Sequence, residues 1–267
     1  MLVEFSVSNF KSIKEKQTLS LIADESNVKS DNVFTPIEGD KLRLLKSAVI
    51  YGANASGKSN IIQAFIIFYS FIHQLNVDIE QNIRFFQPFL LEPAYSEKPT
   101  CFQIVFILDC ILHEYDLAFD SQEVISESLH FYPKKRKAKL FDRKQTKVTF
   151  GSYFKNKGEV SKKPLIKSPY LSLIAGQQHE QMLKIYEYFN QLVPLQANNI
   201  NIRSYWLLKM TKKHLKNEQF KQKIAKLMRI SDTHIDNFFI EEKDIELFDK
   251  SSKNFLEAQK LSEIEEE

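Results

Sequence analysis

The feature that most constrains the fold of this chain is a short segment, Gly52-Ala53-Asn54-Ala55-Ser56-Gly57-Lys58-Ser59. It is a complete G-x-x-x-x-G-K-[ST] pattern, in which the glycines let the backbone curl so that successive amide groups point at one phosphate. Lys58 can reach the β- and γ-phosphates, and the Ser59 hydroxyl can be a ligand of Mg²⁺. A helix that follows adds the positive end of its dipole to the same anion site. The segment predicts a phosphate-binding loop between a strand and a helix, and an ordinary glycine turn is the alternative.

The residues on both sides of the loop agree with this prediction. Residues 44–51 are a short, largely apolar run, typical of a buried strand. The residues from Ile61 to Leu75 are apolar on nearly every side, which predicts a helix buried in a core of sheet and helices. A membrane span is the alternative, but Gln63 interrupts the run, which falls short of the ~20 apolar residues that a bilayer requires. We therefore predict a buried helix and no membrane contact.

Length and composition indicate a folded globular protein. The chain has 267 residues, 43% of them hydrophobic and 22 of them phenylalanine, enough for one large domain or two modest ones. The net charge of +3 is too small to indicate a nucleic-acid partner by itself. Cys101 and Cys110 form neither a C-x-x-C pair nor a zinc pattern, which predicts two buried thiols in a reducing compartment. With no export signal at the N-terminus, we predict a cytoplasmic protein.

Hydrophobic periodicity divides the chain into three regions. Residues 1–75 form the predicted nucleotide-binding core, 76–160 a β-rich insertion with a basic hairpin, and 165–267 a helical region with an acidic tail. The predicted strands lie at 3–7, 17–22, 102–108, 113–119, 128–132 and 148–154. The predicted helices lie within 171–192 and 205–229. The pattern indicates an α/β fold.

Hydrolysis of a bound nucleotide needs groups beyond the loop. An aspartate at the end of a strand usually holds Mg²⁺, and a nearby Glu or Gln orients the attacking water. The nearest match is Asp109, which follows the apolar run 104–108. Aspartate is also favoured in hairpin turns, where it bonds the local backbone, and a hairpin turn is the interpretation that we prefer for Asp109. Glu241 and Glu242 follow a run too short for a core strand, so the catalytic residues stay unknown.

Two stretches of the chain resemble a known group of proteins. VEFSVSNFKS at 3–12 and YGANASGKSN at 51–60 resemble the ABC-type ATPases of DNA repair and chromosome maintenance. They are more similar to bacterial AAA-family ATP-binding proteins of phage defence and abortive infection. Residues 113–120, 127–129 and 140–143 are similar to the β-rich insertion of that group, and residues 171–175 and 185–189 resemble the helical part that follows it. The resemblance implies an ABC-ATPase-like P-loop NTPase core with ATP and Mg²⁺ as cofactors.

The resemblance also implies roles for residues next to the loop and for partners. It places Asn60, Lys11 and Ser12 beside the nucleotide, although Lys11 and Ser12 are equally well plain turn residues. In such enzymes the nucleotide lies between two subunits, and each loop faces a Ser-Gly signature turn of the other. The resemblance therefore implies a homodimer or a partner subunit that completes the ATP site, and a separate effector such as a nuclease.

Some elements that the resemblance implies have no match in this chain. The last glycine is Gly176, and residues 174–178 are only weakly similar to a signature turn, with a helical surface turn as the alternative. The chain therefore resembles the N-terminal half of an ATPase, with Walker B and signature elements missing. The predicted function is ATP binding within an ATPase switch of phage defence or DNA maintenance. A P-loop kinase and a non-catalytic nucleotide-binding remnant or scaffold are the alternatives.

The segment 134–147 is strongly basic and is flanked by aromatic residues. Its cations are Lys134, Lys135, Arg136, Lys137, Lys139, Arg143, Lys144 and Lys147. Such a segment can bind a nucleic-acid backbone by neutralising phosphates. A solvated hairpin tip is the alternative. The lysine-rich helix predicted around 209–226 leaves the same two interpretations open.

Overall fold

A computed structural model describes residues 1–26, 29–73, 81–192 and 217–230. The chain divides into two compact units, Met1–Gln196 and Ala197–Glu267. The strands are β1 (Leu2–Ser8), β2 (Gln17–Ser20), β3 (Val33–Phe34), β4 (Leu44–Leu45), β5 (Thr100–Leu108), β6 (Ile111–Phe119), β7 (Val124–Phe131), β8 (Ala138–Lys144) and β9 (Lys147–Phe150). The helices are α1 (Lys58–Ile72), α2 (Pro93–Ser96), α3 (Tyr170–Gly176), α4 (Glu180–Gln191) and, in the second unit, α5 (Glu218–Ile230), with 3-10 turns at Ser30–Asn32 and Pro133–Lys135.

A single antiparallel sheet organises the first unit. Its strand order is β2-β1-β5-β6-β7-β8-β9, and β3 pairs with β4 separately. Buried and half-buried residues alternate along β5 and β6, as expected of strands with one face on the core. The fold is therefore mixed α/β with a mostly antiparallel sheet.

Helices α1 and α4 meet the sheet through a cluster of aromatic rings. Phe68 of α1 lies 5.9 Å from the ring of Phe102, 6.1 Å from Tyr115 and 5.6 Å from Phe189 of α4, measured between centroids. All four side chains are almost fully buried. Edge-to-face pairs at these distances stabilise a core beyond the area that they bury. The cluster fixes α1 on the sheet and thereby fixes the position of the loop that precedes it.

The hairpin predicted at 102–119 is confirmed. Strands β5 and β6 pair along their whole length, and the turn falls at Asp109 and Cys110, both of which have positive φ (49° and 60°). The prediction that both thiols are buried is wrong for Cys110, because a turn position faces solvent. Cys101 is half-buried on β5, and burial raises the pKa of its thiol.

The strand predicted at 44–51 is wrong beyond Leu45. Only Leu44–Leu45 joins a strand pair, and Val49 and Tyr51 are 70% and 87% exposed. A strand that is apolar on both faces is buried only when other strands flank it, and none of the described strands flanks residues 46–51. The helix after the loop is confirmed as α1, although Ile62 near its start is exposed.

The helical periodicity of 171–192 gives two helices rather than one. Helices α3 and α4 are separated at Gln177–His179, where Gln178 has a φ of 60°. Of the helix predicted at 205–229, the structure describes the part within α5, and residues 205–216 lie outside the described residues. The three-region division stays a prediction, and the sheet contains strands from both sides of residues 75 and 76. No helix in the described ranges is long and apolar enough to cross a membrane.

Candidate nucleotide-binding site

The geometry of the loop requires a glycine at Gly57 more strictly than at Gly52. Gly57 precedes α1 with a φ of 92°, a conformation that side-chain-bearing residues rarely adopt. A Cβ added to Gly52 would lie 2.6 Å from the Ser56 Oγ, so the Ser56 side chain would have to move. The loop is therefore a tight backbone curl that leads directly into the first turn of α1.

The first turn of α1 offers amide groups to an anion. Among the described residues, no hydrogen-bond acceptor faces the amides of Gly57, Lys58 and Ser59, whereas the Asn60 and Ile61 amides donate to the Gly57 carbonyl at 2.9 and 3.3 Å. Free amides at a helix N-terminus carry partial positive charge. The first turn contains no acidic side chain that would occupy them. This end of the helix is electrostatically prepared for phosphate.

Lys58 lies over the loop that it follows. Its Nζ donates to the carbonyl oxygens of Gly52 and Ala53, both at 2.6 Å. The ammonium group thus stays beside the free amides without pairing to a carboxylate among the described residues. Ser59, on the same turn, is exposed, so its hydroxyl is accessible to a metal ion.

Two adjoining clefts border the loop. One, of about 480 Å³, is lined by Ser56–Lys58, Ile50 and Tyr51 and by Ser12–Glu15 and Gln17. The second, of about 300 Å³, lies on Ser12 and Ala55–Asn60. Together they match the size of small-molecule sites in proteins. Free amides, a lysine and an accessible serine hydroxyl at this position fit a polyphosphate with Mg²⁺.

The structure brings Lys11 and Ser12 to the loop. They are the central residues of a tight turn closed by reciprocal backbone hydrogen bonds between Phe10 and Ile13, at 2.8 and 2.7 Å. The Asn60 Nδ2 donates to the Ser12 Oγ at 2.6 Å, and the Lys11 Nζ donates to the Gln63 Oε1. Contact of either residue with a nucleotide stays a prediction. Gln63 was not predicted, and its only signal is that it interrupts the apolar run.

Lys14 and Glu15 also line the larger cleft, and the sequence did not predict a role for either residue. The Lys14 Nζ lies 2.5 Å from the Glu92 Oε1, and the Tyr95 hydroxyl donates to the Glu15 Oε1 at 2.6 Å. The hydrogen bond to Glu92 raises the pKa of Lys14, and the hydrogen bond to Glu15 raises that of Tyr95. Their partners are distant in sequence, so no local pattern could reveal them.

Asp109 cannot serve this loop as its magnesium ligand. Strand β5 pairs with β1 so that Cys101 faces Ser8 and Phe106 faces Leu2. The turn with Ser12 follows Ser8, whereas Asp109 follows the opposite end of β5, about 25 Å away at ~3.3 Å per strand residue. The hairpin-turn interpretation of Asp109 is thus confirmed.

The other candidate residues for ATP hydrolysis either have a local structural role or lie outside the described residues. Asp120 follows β6 at the loop's end of the sheet, but its Oδ1 accepts the amides of Gln122 and Glu123 at 2.7 and 2.8 Å. Gly176 ends α3, as the helical-turn interpretation predicts. Glu241 and Glu242 lie outside the described residues. Within the described ranges, no group of three or more His, Cys, Asp or Glu residues could hold a metal.

The basic segment 134–147 is less available than its sequence suggests. Lys137 lies 2.7 Å from Glu114, and Lys135 lies 3.3 Å from Asp40, measured between charged atoms. Arg143 is fully buried, because β8 turns it towards the core, and it cannot contact a nucleic acid. The remaining exposed cations, for which no acidic partner occurs among the described residues, are Lys134, Arg136, Lys144 and Lys147.

Buried Arg143 belongs to a network that joins β7, β8 and the start of α3. Its Nη1 lies 3.4 Å from the Glu127 Oε2 and donates to the Ser168 carbonyl at 2.7 Å. The Glu127 carboxylate also accepts the amides of Tyr170 and Leu171 at 2.5 and 2.8 Å. Burial raises the pKa of Glu127, and Arg143 and the two amides oppose this effect. The network is structural, because it lies within the core.

Comparison with known proteins agrees with the geometry of the loop. A search of curated proteins found no match. A family model described as "AAA domain, putative AbiEii toxin, Type IV TA system" matches residues 47–263, which include the whole loop Gly52–Ser59 and α1 but not Lys11 and Ser12. The chain therefore belongs to this AAA-domain family, whose P-loop, ATPase-like, nucleotide-binding character and abortive-infection context apply to it.

Proposed function

We propose that the chain binds ATP with Mg²⁺ through Gly52–Asn60 and acts as the phosphate-holding part of an ABC-type ATPase switch. The observation that carries this proposal is the first turn of α1. Its free amides and the Lys58 side chain lie beside an open cleft of about 480 Å³. The phosphates bind at these amides, and Lys58 exchanges its bonds to loop carbonyls for phosphate oxygens. Lys11 and Ser12 form the facing wall.

Ser59 is the residue that would hold Mg²⁺. Its position on the exposed first turn supports this role, because the hydroxyl follows the lysine by one residue, as in other phosphate-binding loops. When bound, the ion would supply positive charge that neutralises the phosphates. The residues of this chain bind and orient the phosphates.

Hydrolysis in this proposal requires a second polypeptide. Asp109 lies at the opposite end of the sheet, and Asp120 is bonded within its own turn. A homodimer or a partner subunit would close over the ATP site, a different polypeptide would have to supply the Walker B and signature elements, and a separate effector such as a nuclease would act on the target. A role in phage defence or DNA maintenance is supported by the family and by the resemblance of residues 3–12 and 51–60.

The binding step is tested by calorimetry with MgATP. Lys58→Ala should abolish the binding heat, because no other cation in the described part of the chain donates to the loop carbonyls. Lys184→Ala is the matched control, since it removes an exposed lysine on α4 that lines neither cleft. Equal affinity in wild type and Lys58→Ala would sink the proposal.

Measurements of ATP turnover distinguish the proposed ATPase from a P-loop kinase and from a nucleotide-binding scaffold. We expect ATP hydrolysis only after the product of the neighbouring downstream reading frame is added. Steady hydrolysis by this chain alone would contradict the need for a second polypeptide. Phosphate transfer to an added acceptor would favour a P-loop kinase, and binding without turnover in any mixture would favour a scaffold.

The exposed cations of 134–147 support a further part of the proposal, contact with a nucleic-acid backbone. Lys134, Arg136, Lys144 and Lys147 lie on one β8–β9 region and its preceding turn. Replacing Lys134 and Arg136 by alanine should weaken binding of labelled DNA or RNA and reduce the salt dependence by about two phosphate contacts. An unchanged salt slope would exclude this surface.

A further inference from the structure

Asn9 is the most heavily bonded polar side chain near the loop. It is 3% exposed, and its φ of 49° is a left-handed conformation that asparagine tolerates. Its Nδ2 donates to the carbonyls of Lys98 and Tyr95 at 2.7 and 3.0 Å, and its Oδ1 accepts the amide of Phe89 at 2.9 Å. The Thr100 hydroxyl donates to the Asn9 carbonyl at 2.7 Å. One residue thus joins the end of β1 to two distant segments.

The turn that follows Asn9 is hydrogen-bonded on two sides, to the segment around Gln87 and to α1. On one side, the Lys11 amide donates to the Gln87 carbonyl at 2.8 Å, in the same segment that Asn9 bonds. On the other side, Ser12 accepts the Asn60 side chain and Lys11 donates to Gln63 on α1. A Cβ on Gly57 would lie 3.5 Å from the Ser12 Oγ, so the turn directly abuts the phosphate-binding loop.

We infer that Asn9 is a positioning residue of the nucleotide site. It holds the turn that carries Lys11 and Ser12 beside the first turn of α1. Asn9 itself cannot contact the nucleotide, because its side chain is buried. This inference rests on the proposed function, since the site that it positions is the proposed ATP site.

The chemistry of the position selects an asparagine. The side chain must donate to two carbonyls and accept one amide at the same time, which a carboxamide can do. A carboxylate would place its negative charge against the carbonyl oxygens of Tyr95 and Lys98, and alanine would leave the Phe89 amide buried without a partner. Either change should release the turn from its support.

The test measures MgATP affinity by calorimetry in the full chain. Asn9→Asp and Thr100→Val each remove part of the support, and we expect each to weaken affinity at least fivefold. Ser172→Ala is the matched control, because it also removes a buried hydroxyl bond to a carbonyl, at Ile72, the opposite end of α1. We expect Ser172→Ala to lower the melting temperature as Thr100→Val does while leaving affinity unchanged.

A second measurement separates positioning from general loosening of the fold. In a chain that already carries Lys11→Ala and Ser12→Ala, Thr100→Val should have no further effect on affinity, because the residues that it positions are gone. If Asn9→Asp fails to fold, Thr100→Val decides. Wild-type affinity in Thr100→Val, or an equal loss in Ser172→Ala, overturns the inference while the proposed function stands. Failure of wild type to bind MgATP overturns the proposed function itself.

Discussion

Replacing Arg143 by methionine should strongly destabilise the fold. The side chain is fully buried and pairs with one carboxylate, and its shortest hydrogen bonds go to three carbonyls, those of Ser168, Leu165 and Gln145, at 2.7, 2.7 and 2.8 Å. Methionine fills a similar volume but donates no hydrogen bond. The change therefore leaves the Glu127 carboxylate uncompensated in the core.

The expected loss of unfolding free energy is about 3–5 kcal/mol, the usual cost of removing one partner of a buried ion pair. The three carbonyls lose charge-assisted bonds as well, so the upper part of this range is expected. For a unit of this size, each kcal/mol lowers the melting temperature by roughly 2–4 °C, which gives a decrease of roughly 6–20 °C.

Thermal and urea unfolding, followed by circular dichroism, measure the effect. Lys144→Met is the matched control, because Lys144 is the next residue of β8 and is exposed. We expect it to change stability by less than about 0.5 kcal/mol. Adding Glu127→Gln to Arg143→Met should restore part of the loss, since no unpaired charge then stays buried. A difference below about 1 kcal/mol between Arg143→Met and Lys144→Met would refute the reasoning.

Three further predictions concern the loop, a hairpin and a buried imidazole. Gly57→Ala should remove MgATP binding in calorimetry, because alanine is strained at a φ of 92°. Gly151→Ala should lower the melting temperature, because its Cβ would lie 1.8 Å from the Lys139 carbonyl, whereas Gly158→Ala, with open space around it, should not. Burial lowers the pKa of His113, so unfolding free energy should fall as pH drops below 6.5, when only the unfolded state binds the proton. His113→Phe should flatten this decrease in urea titrations between pH 7 and 5, and an identical pH dependence would contradict the assignment.

Local patterns were sufficient for the parts of the fold whose partners are close in sequence. Two such parts are the loop Gly52–Ser59 with the helix after it, and the β5–β6 hairpin with its turn at Asp109. Each of them follows from one continuous segment of the sequence. A helix and a hairpin close their hydrogen bonds over a few residues, so propensity and turn chemistry decide them.

The same reasoning failed where a side chain's surroundings depend on distant segments. Arg143 belongs to a basic run, yet the pleat of β8 turns it to the core, where Glu127 and three carbonyls meet it. Residues 46–51 have the composition of a buried strand, but burial requires flanking strands, which the described part of the chain does not provide.

The sequence by itself was sufficient to predict the anion site that we propose, because its glycines, its lysine and the start of α1 are contiguous and their geometry is local. Only the tertiary structure decided which residues lie opposite that site. The antiparallel register of β1 and β5 brings the turn with Lys11 and Ser12 to the loop and carries Asp109 to the far end of the sheet. Asn9 acquires its function through bonds to residues 80 to 90 positions away, and such contacts exist only once the sheet has formed.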